Sequence, residues 1–164
     1  MAWVGSTVTA QVVTLLSSPQ GLNTCIATLA EAETEAVPAV GLNQILAQNV
    51  SVELAERSTS VTYPLVSVYC EKISNQLKEK FRNFSGKAAM AIEVRVTQDR
   101  LAGIENQLEL YLDAVTQVLD QNRGDWGEGM YYAGGYEANL GPVKQGGRNF
   151  IQIGKVTFDV GVSA

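Results

Sequence analysis

Three carboxylates, Glu105, Glu109 and Asp113, follow one another at intervals of four residues. On a helix this spacing places all three on one face, where like charges destabilise the helix by a few tenths of a kcal/mol per pair. Two interpretations stay open for these side chains: a solvated helix face, or an acidic surface that contacts a partner. The acidic residues within 31–35 are spaced by two, which sends them to different sides of a helix and argues against a metal site.

The residue types that catalysis needs are poorly represented. The chain has no histidine, the side chain most often used for proton transfer near neutral pH. Cys25 and Cys70 therefore lack an evident base, and their positions show neither metal-ligand nor disulfide-scaffold spacing. The Gly-Lys pair at 86–87 lacks the glycine that a P-loop has five residues earlier, since Phe81 stands there. We therefore predict no catalytic residue, no metal and no cofactor.

Glycine is concentrated in the segment 124–149, GDWGEGMYYAGGYEANLGPVKQGGRN, which holds eight of the chain's fifteen glycines. These glycines precede a strand pattern instead of opening a helix, so they do not fit a dinucleotide-binding loop. The segment is too aromatic for a disordered linker. We predict a hairpin or extended loop that projects from the domain and contacts a partner, with a charged hydrogen bond from Arg148. The predicted aromatic contact residues are Trp126, Tyr131, Tyr132 and Tyr136.

A second interpretation of the same segment is that the aromatic residues of 131–136 complete the domain's own core. The two interpretations differ in whether these rings are accessible in the isolated chain.

Length and composition are those of a globular protein of one domain. A chain of 164 residues with 46% hydrophobic residues can bury a sizeable core. The net charge of −5 disfavours binding driven only by nucleic-acid phosphates. A signal peptide has Lys or Arg before its apolar run, whereas no Lys or Arg precedes the first apolar run of this chain. No run approaches the ~20 apolar residues of a membrane helix. The two cysteines are interpreted as small core residues of a protein made in a reducing cytoplasm.

Hydrophobic periodicity predicts an α+β fold with a mixed or antiparallel sheet, one long amphipathic helix packed on it and short N-terminal helices. Residues 1–48 would form the helical part of a single domain, 1–164. The predicted helices run from about Val8, from a Ser18–Pro19 cap to about Glu35, and from Thr97 or Asp99 to about Gly124. The predicted strands cover 49–55, 63–73, 88–96, 130–138 and 149–162. The alternation changes phase at Gly154, which predicts a β-bulge there.

A basic interval lies between two of these strands. Its cations are Lys72, Lys78, Lys80, Arg82 and Lys87, and they outnumber the nearby acidic residues Glu71 and Glu79. Three interpretations stay open. The central cations (Lys78, Lys80 and Arg82) could pair with the acidic helix face (Glu105, Glu109 and Asp113) of a neighbouring copy in a ring, could face DNA in a channel, or could be plain solvated surface.

The order of elements in the C-terminal half resembles that of a known family. The run from Ile92 to Val162 combines the strand IEVRV, the amphipathic helix, a GGYE turn at 134–137, Gly-Pro-Val at 141–143 and a closing strand. Over roughly residues 88–163 it resembles tail terminator and minor tail (neck) proteins of long-tailed bacteriophages and prophages. The first 50 residues carry no such resemblance.

The resemblance implies a small α+β subunit of a hexameric ring. Such a ring caps the finished tail tube, stops its polymerisation and joins the tail to the head connector. The implied partners are further copies of the chain, the tail tube protein, the connector or stopper protein and DNA passing through the ring, with no membrane. The protein would be made in the host cytoplasm and located in the virion. A head–tail stopper or adaptor is the nearest alternative, and a small-molecule-binding domain or a hydrolase would belong to a different class.

Overall fold

The computed structural model describes residues 3–50 and 62–164. In these residues the helices are α1 (Val4–Ser17), α2 (Leu22–Ala32) and α3 (Ile104–Gln121), with a 3-10 turn at Leu42–Gln44. The strands are β1 (Ile45–Leu46), β2 (Leu65–Asn75), β3 (Ser85–Gln98), β4 (Gly124–Gly127), β5 (Met130–Tyr132), β6 (Glu137–Leu140), β7 (Lys144–Gly146) and β8 (Asn149–Ser163). The predicted α+β class, with a long helix packed on a sheet, is confirmed.

The two longest described strands, β3 and β8, form the centre of the sheet. They pair antiparallel in a continuous register of fourteen residue pairs, from Ser85↔Ser163 to Gln98↔Phe150. β2 pairs with the other edge of β3, and β1 joins β2 in parallel, so the sheet is mixed. The other edge of β8 is shared by the short strands β5, β6 and β7, and β4 extends the sheet beyond β5.

The helices cover the sheet face to which the even-numbered residues of β3 and β8 point. The cross-strand pairs Ile92–Val156 and Met90–Phe158 lie on this face, and all four side chains are buried. α3 contacts β3 and β8, α1 contacts β2, and α2 packs on α3. α3 buries a stripe with helical spacing, as an amphipathic helix does: Ile104, Leu108, Tyr111, Leu112, Val115, Val118 and Leu119.

The predicted β-bulge at Gly154 is wrong. The ladder between the described strands β3 and β8 runs through Gly154 without a shift of register. A Cβ at Gly154 would lie 2.6 Å from Leu112 Cδ1, so the glycine makes room for α3 to approach the sheet. The apparent change of phase arises because Gln152 is buried on the helix-covered face, while Ile151 and Ile153 point to the other face.

Two predicted helix starts are also wrong, because the chain enters each helix through a glycine. α2 begins after Gly21, whereas Ser18 ends α1 and donates a hydrogen bond from Oγ to Leu15 O over 3.0 Å. α3 begins after Gly103, whose φ of 85° lies in the left-handed region that glycine adopts readily.

Thr97 is not available as a cap for α3, because it still belongs to β3. Its Oγ1 donates to Phe150 O over 3.1 Å, which holds it beside β8. Asp99 lies in the turn after β3. At its other end α3 stops at Gln121, and Gly124 begins β4 instead of ending the helix.

The remaining boundaries differ by smaller amounts. The predicted strand at 49–55 falls mostly on residues outside the described ranges, and Asn49 and Val50 are not part of a strand. β2 begins at Leu65 and runs to Asn75, two residues later at each end than predicted, and α2 ends at Ala32.

We predict that Gly154→Ala lowers the free energy of unfolding by about 1–3 kcal/mol, because the new methyl group overpacks the contact with Leu112. Gly161→Ala is the matched control on the same strand. Its Cβ would lie 3.4 Å from Tyr131 O, an ordinary contact, and the expected change is within about 0.5 kcal/mol. Urea unfolding followed by circular dichroism measures both variants. The loss from Gly154→Ala should shrink in a Leu112→Ala background, and an equal loss in both backgrounds would contradict the close-approach account.

Candidate functional site

The glycine-rich segment 124–149 pairs along β8 and does not project as a free loop. β4 and β5 form a hairpin whose turn holds Glu128 and Gly129 at positive φ, 52° and 77°. Gly129 O accepts a hydrogen bond from Ser163 N over 2.9 Å, which joins this turn to the end of β8. β5 and β6 are separated at Gly134 and Gly135, with φ of 95° and 89°, so the predicted strand at 130–138 is two short strands.

Tyr132 is fully buried, so the prediction that it offers surface to a partner is wrong. Its ring centroid lies 5.5 Å from that of Trp126 and 5.5 Å from that of Phe158. Trp126 is half-buried and donates from Nε1 to Asn122 O over 2.6 Å. Because successive side chains of a strand point to opposite faces, Tyr132 enters the core while Tyr131 points outward. The own-core interpretation therefore holds for Tyr132.

Three further predicted contact residues of the segment, Tyr131, Tyr136 and Arg148, stay accessible. Tyr131 is 56% exposed and Tyr136 is 38% exposed. Tyr136 OH donates to Asp120 Oδ2 over 3.4 Å, and Arg123 pairs with the same carboxylate at 2.5 Å. Arg148 is exposed in the turn between β7 and β8. These side chains lie along the β8 edge that carries the short strands.

The acidic face of α3 forms as the helical spacing predicts, with Glu105, Glu109 and Asp113 all exposed. Glu109 and Asp113 line a groove of about 410 Å³ beside the C-terminal end of α2. Two further carboxylates, Glu33 and Glu35, line the same groove. The sequence spacing of these two argued against a metal site and gave no sign that they would lie beside α3.

The central cations of the basic interval, Lys78, Lys80 and Arg82, are exposed in the loop between β2 and β3. Two apolar side chains stand beside them: Phe81 is fully exposed and Leu77 is 67% exposed. Arg82 Nε lies 3.7 Å from Glu79 within the same loop. Of the flanking cations, Lys87 on β3 pairs with Asp159 at 2.5 Å, and Lys72 lies on β2.

The acidic and basic surfaces lie toward opposite ends of the molecule. Leu112 of α3 lies against Gly154, which pairs with Val94. The basic loop immediately precedes Ser85, at the other end of β3. At about 3.3 Å per strand residue, the separation along β3 is roughly 30 Å. A single chain therefore does not bring these two predicted surfaces together.

The sheet face opposite the helices carries a polar network that the sequence analysis missed. Tyr69 OH donates to Glu93 Oε1 over 2.8 Å, and Arg95 Nη2 donates to Glu93 Oε2 over 3.1 Å. Arg95 is 2% exposed, and its Nη2 also donates to Val50 O. Burial, followed by the hydrogen bond to Glu93, raises the pKa of Tyr69 to about 12, so this hydroxyl is a neutral donor at neutral pH. The signal was the alternation in IEVRV, which places Glu93 and Arg95 together on the face opposite the core.

Lys155 extends this network toward solvent. Its Nζ pairs with Glu71 and lies 5.7 Å from the centre of the Tyr69 ring. The hydrogen bond to Glu71 raises the pKa of Lys155. Both partners of this ion pair are about one-third exposed, at 34% for each side chain, so the pair contributes little to stability.

The environment of the two cysteine thiols does not activate them as nucleophiles. Burial raises the pKa of the Cys25 and Cys70 thiols, which keeps both protonated and weakly nucleophilic. In the described ranges, no three His, Cys, Asp or Glu side chains are placed to hold a metal ion. None of the described helices is long and apolar enough to cross a membrane. What the molecule presents is a set of charged and aromatic surfaces.

We predict that Glu93→Gln destabilises the fold by about 3–5 kcal/mol, because it removes the carboxylate that compensates a buried guanidinium. Glu71→Gln is the matched control, since its lysine partner is partly exposed, and it should cost no more than about 1 kcal/mol. Urea unfolding at neutral pH compares the two variants. Replacing both partners, as Glu93→Leu with Arg95→Leu, should recover part of the loss, since the uncompensated charge is gone. Equal effects of the two glutamine variants would contradict a structural role for the Glu93–Arg95 pair.

No protein-family model matches the chain, and no curated protein matches it significantly.

Proposed function

We propose that this chain is a structural virion protein of the phage tail or neck. Copies of it form a ring that caps the tail tube, ends its polymerisation and joins the tail to the head connector. Its partners are further copies of the chain, the tube protein and the connector or stopper protein, with DNA passing through the ring. In this proposal the protein is located in the virion and has a binding function without a catalytic one.

The observation that supports the proposal most is that the resembling run folds as one unit. β3 and β8, at the two ends of the run, pair over fourteen residues, and α3 between them packs on both. The GGYE motif forms the bend that leads into β6, and Gly-Pro-Val at 141–143 connects β6 to β7. Gly141 N donates to Ile153 O over 2.8 Å, which joins that connection to β8. The motifs are thus parts of one architecture.

The outer edge of the sheet suits lateral contact between subunits. β6 is exposed at all four of its residues, including Leu140, which is 39% exposed. Tyr131, Tyr136 and Arg148 lie on neighbouring parts of the same edge. Aromatic and arginine side chains are enriched in protein interfaces, and strand edges offer backbone groups for pairing.

The test is electron microscopy of phage particles made without this gene. We expect overlong tails, or tails and heads left unjoined, because nothing then stops tube growth or completes the neck. A plasmid copy encoding Gly161→Ala, a substitution expected to be tolerated, should restore normal particles and serves as the control. Unjoined tails of normal length would favour a stopper or adaptor over a terminator. Normal virions would contradict the proposal.

A further inference from the structure

The loop between β2 and β3, residues 76–84, combines cationic and apolar side chains and is called here the basic tip. Its exposed cations are Lys78, Lys80 and Arg82. Phe81 is fully exposed and Leu77 is 67% exposed. Both have positive φ, 70° and 47°, a conformation that side-chain-bearing residues adopt unfavourably. The tip thus exposes two apolar side chains to water on a strained backbone, and both features raise the free energy of the isolated chain. Burial of Phe81 against a partner would offset this free energy.

The groove beside α3 has the complementary character and is called here the acidic groove. Its carboxylates are Glu33, Glu35, Glu109 and Asp113. Leu29 and Leu110 supply apolar surface within it, and both belong to or border the core. Because no three acidic side chains in the described ranges are placed to hold a metal ion, the groove is better suited to several separate cations than to one bound metal.

Hydrogen bonds hold the groove in shape before any partner arrives. The segment after α2 is fixed at Val40, whose O accepts from Asn23 Nδ2 over 2.7 Å and whose N donates to Asn23 Oδ1 over 2.8 Å. Tyr111 OH donates to Pro38 O over 2.7 Å, which joins the same segment to α3. Burial raises the pKa of Tyr111 to about 12, so this donor is retained at neutral pH. A preformed groove loses little freedom on binding.

The distance between the basic tip and the acidic groove determines whether they can meet within one chain or only between two copies. They lie roughly 30 Å apart along β3, so the tip of a chain does not reach its own groove. Two different surfaces that meet between copies make a head-to-tail contact, which closes into a ring when the rotation per copy allows.

We propose that the basic tip of one copy docks in the acidic groove of the next copy. Phe81 packs against Leu29 and Leu110, while the three cations lie beside the four carboxylates. Closure into a ring, and the number of copies in it, rest on the proposed function; the contact between two copies does not. The apolar side chains of the tip favour a protein groove over DNA as the partner, because a phosphate backbone offers them no apolar surface.

Disulfide cross-linking tests the contact directly. We expect a chain carrying Asn83→Cys and Asn106→Cys, in a Cys25→Ala and Cys70→Ala background, to form a ladder of multimers on non-reducing gels after mild oxidation. Asn83 is an exposed residue of the basic tip, so this substitution leaves Phe81 in place. Asn106 is used because it lines the acidic groove. Each single variant should stop at a dimer, since it has one linkage point.

The matched control pairs Asn83→Cys with Gln145→Cys, an exposed position on β7 outside the groove. It should give about tenfold less ladder than the groove pair at equal concentration. Equal ladders from the two pairs, or no ladder from a folded groove pair, would overturn the proposal.

Charge reversal in the cross-linking background tests the role of charge. The tip-reversed variant carries Lys78→Glu, Lys80→Glu and Arg82→Glu. The groove-reversed variant carries Glu33→Lys, Glu35→Lys, Glu109→Lys and Asp113→Lys. Each alone should lose about tenfold in ladder yield. An equal mixture should recover it, because each tip then meets a groove of opposite charge on the other variant.

Circular dichroism establishes that both charge-reversed variants are folded. Failure of the folded mixture to recover the ladder would overturn the charge pairing. Tip reversal that leaves the ladder intact and abolishes binding of duplex DNA would replace the second copy by DNA as the tip's partner.

The two proposals can fail separately. Overlong tails in particles made without the gene, combined with no ladder, would contradict the docking contact alone. A ladder in solution, combined with normal virions made without the gene, would contradict the proposed function and leave the contact standing.

Discussion

The pairing of β3 with β8 determines where the other described surfaces lie. These strands are separated by fifty residues of sequence, and their fourteen-residue ladder joins the two halves of the chain. The helices pack on one face of the ladder, and the Tyr69–Glu93–Arg95 network lies on the other face. β2 pairs with one edge of the ladder, and the short strands pair with the other edge. Since β3 is long, it also holds the basic tip far from the acidic groove, so the same ladder that builds the core separates the two charged surfaces.

The two faces of this ladder are stabilised by different means. On the covered face, the absence of a side chain at Gly154 lets Leu112 sit against the backbone, so packing depends on close approach. On the other face, Arg95 is buried with a carboxylate partner, an arrangement that adds little net stability but becomes costly when one partner is removed. In the described structure, the Nε and Nη1 of Arg95 have no hydrogen-bond partner, which makes its single carboxylate more important.

The sequence predicted the parts of the fold that depend on one-dimensional periodicity. The alternation from Met90 to Val96 and the apolar stripe of α3 were both read correctly, because burial of one face repeats along an element. Gly154 was misread because its role depends on a helix that lies far away in sequence. The acidic groove was missed for the same reason, since Glu33 and Glu109 come together only when α2 packs on α3. Tyr132 could have been assigned to the core from the alternation of Met130 and Tyr132, but the surrounding glycines suggested a free loop.

In the proposed docking contact, the charge distribution favours one orientation of neighbouring copies over others. With a net charge of −5, copies repel one another on average, which opposes association in random orientations. The basic tip is a local exception, so the orientation that places it in an acidic groove exchanges repulsion for attraction. The repulsion among the carboxylates of the groove raises the free energy of the isolated chain, and docking of cations would relieve it. The positive φ of Phe81 also raises this free energy, and docking would bury the Phe81 side chain. Charge would then select the orientation, while the apolar contact would hold it.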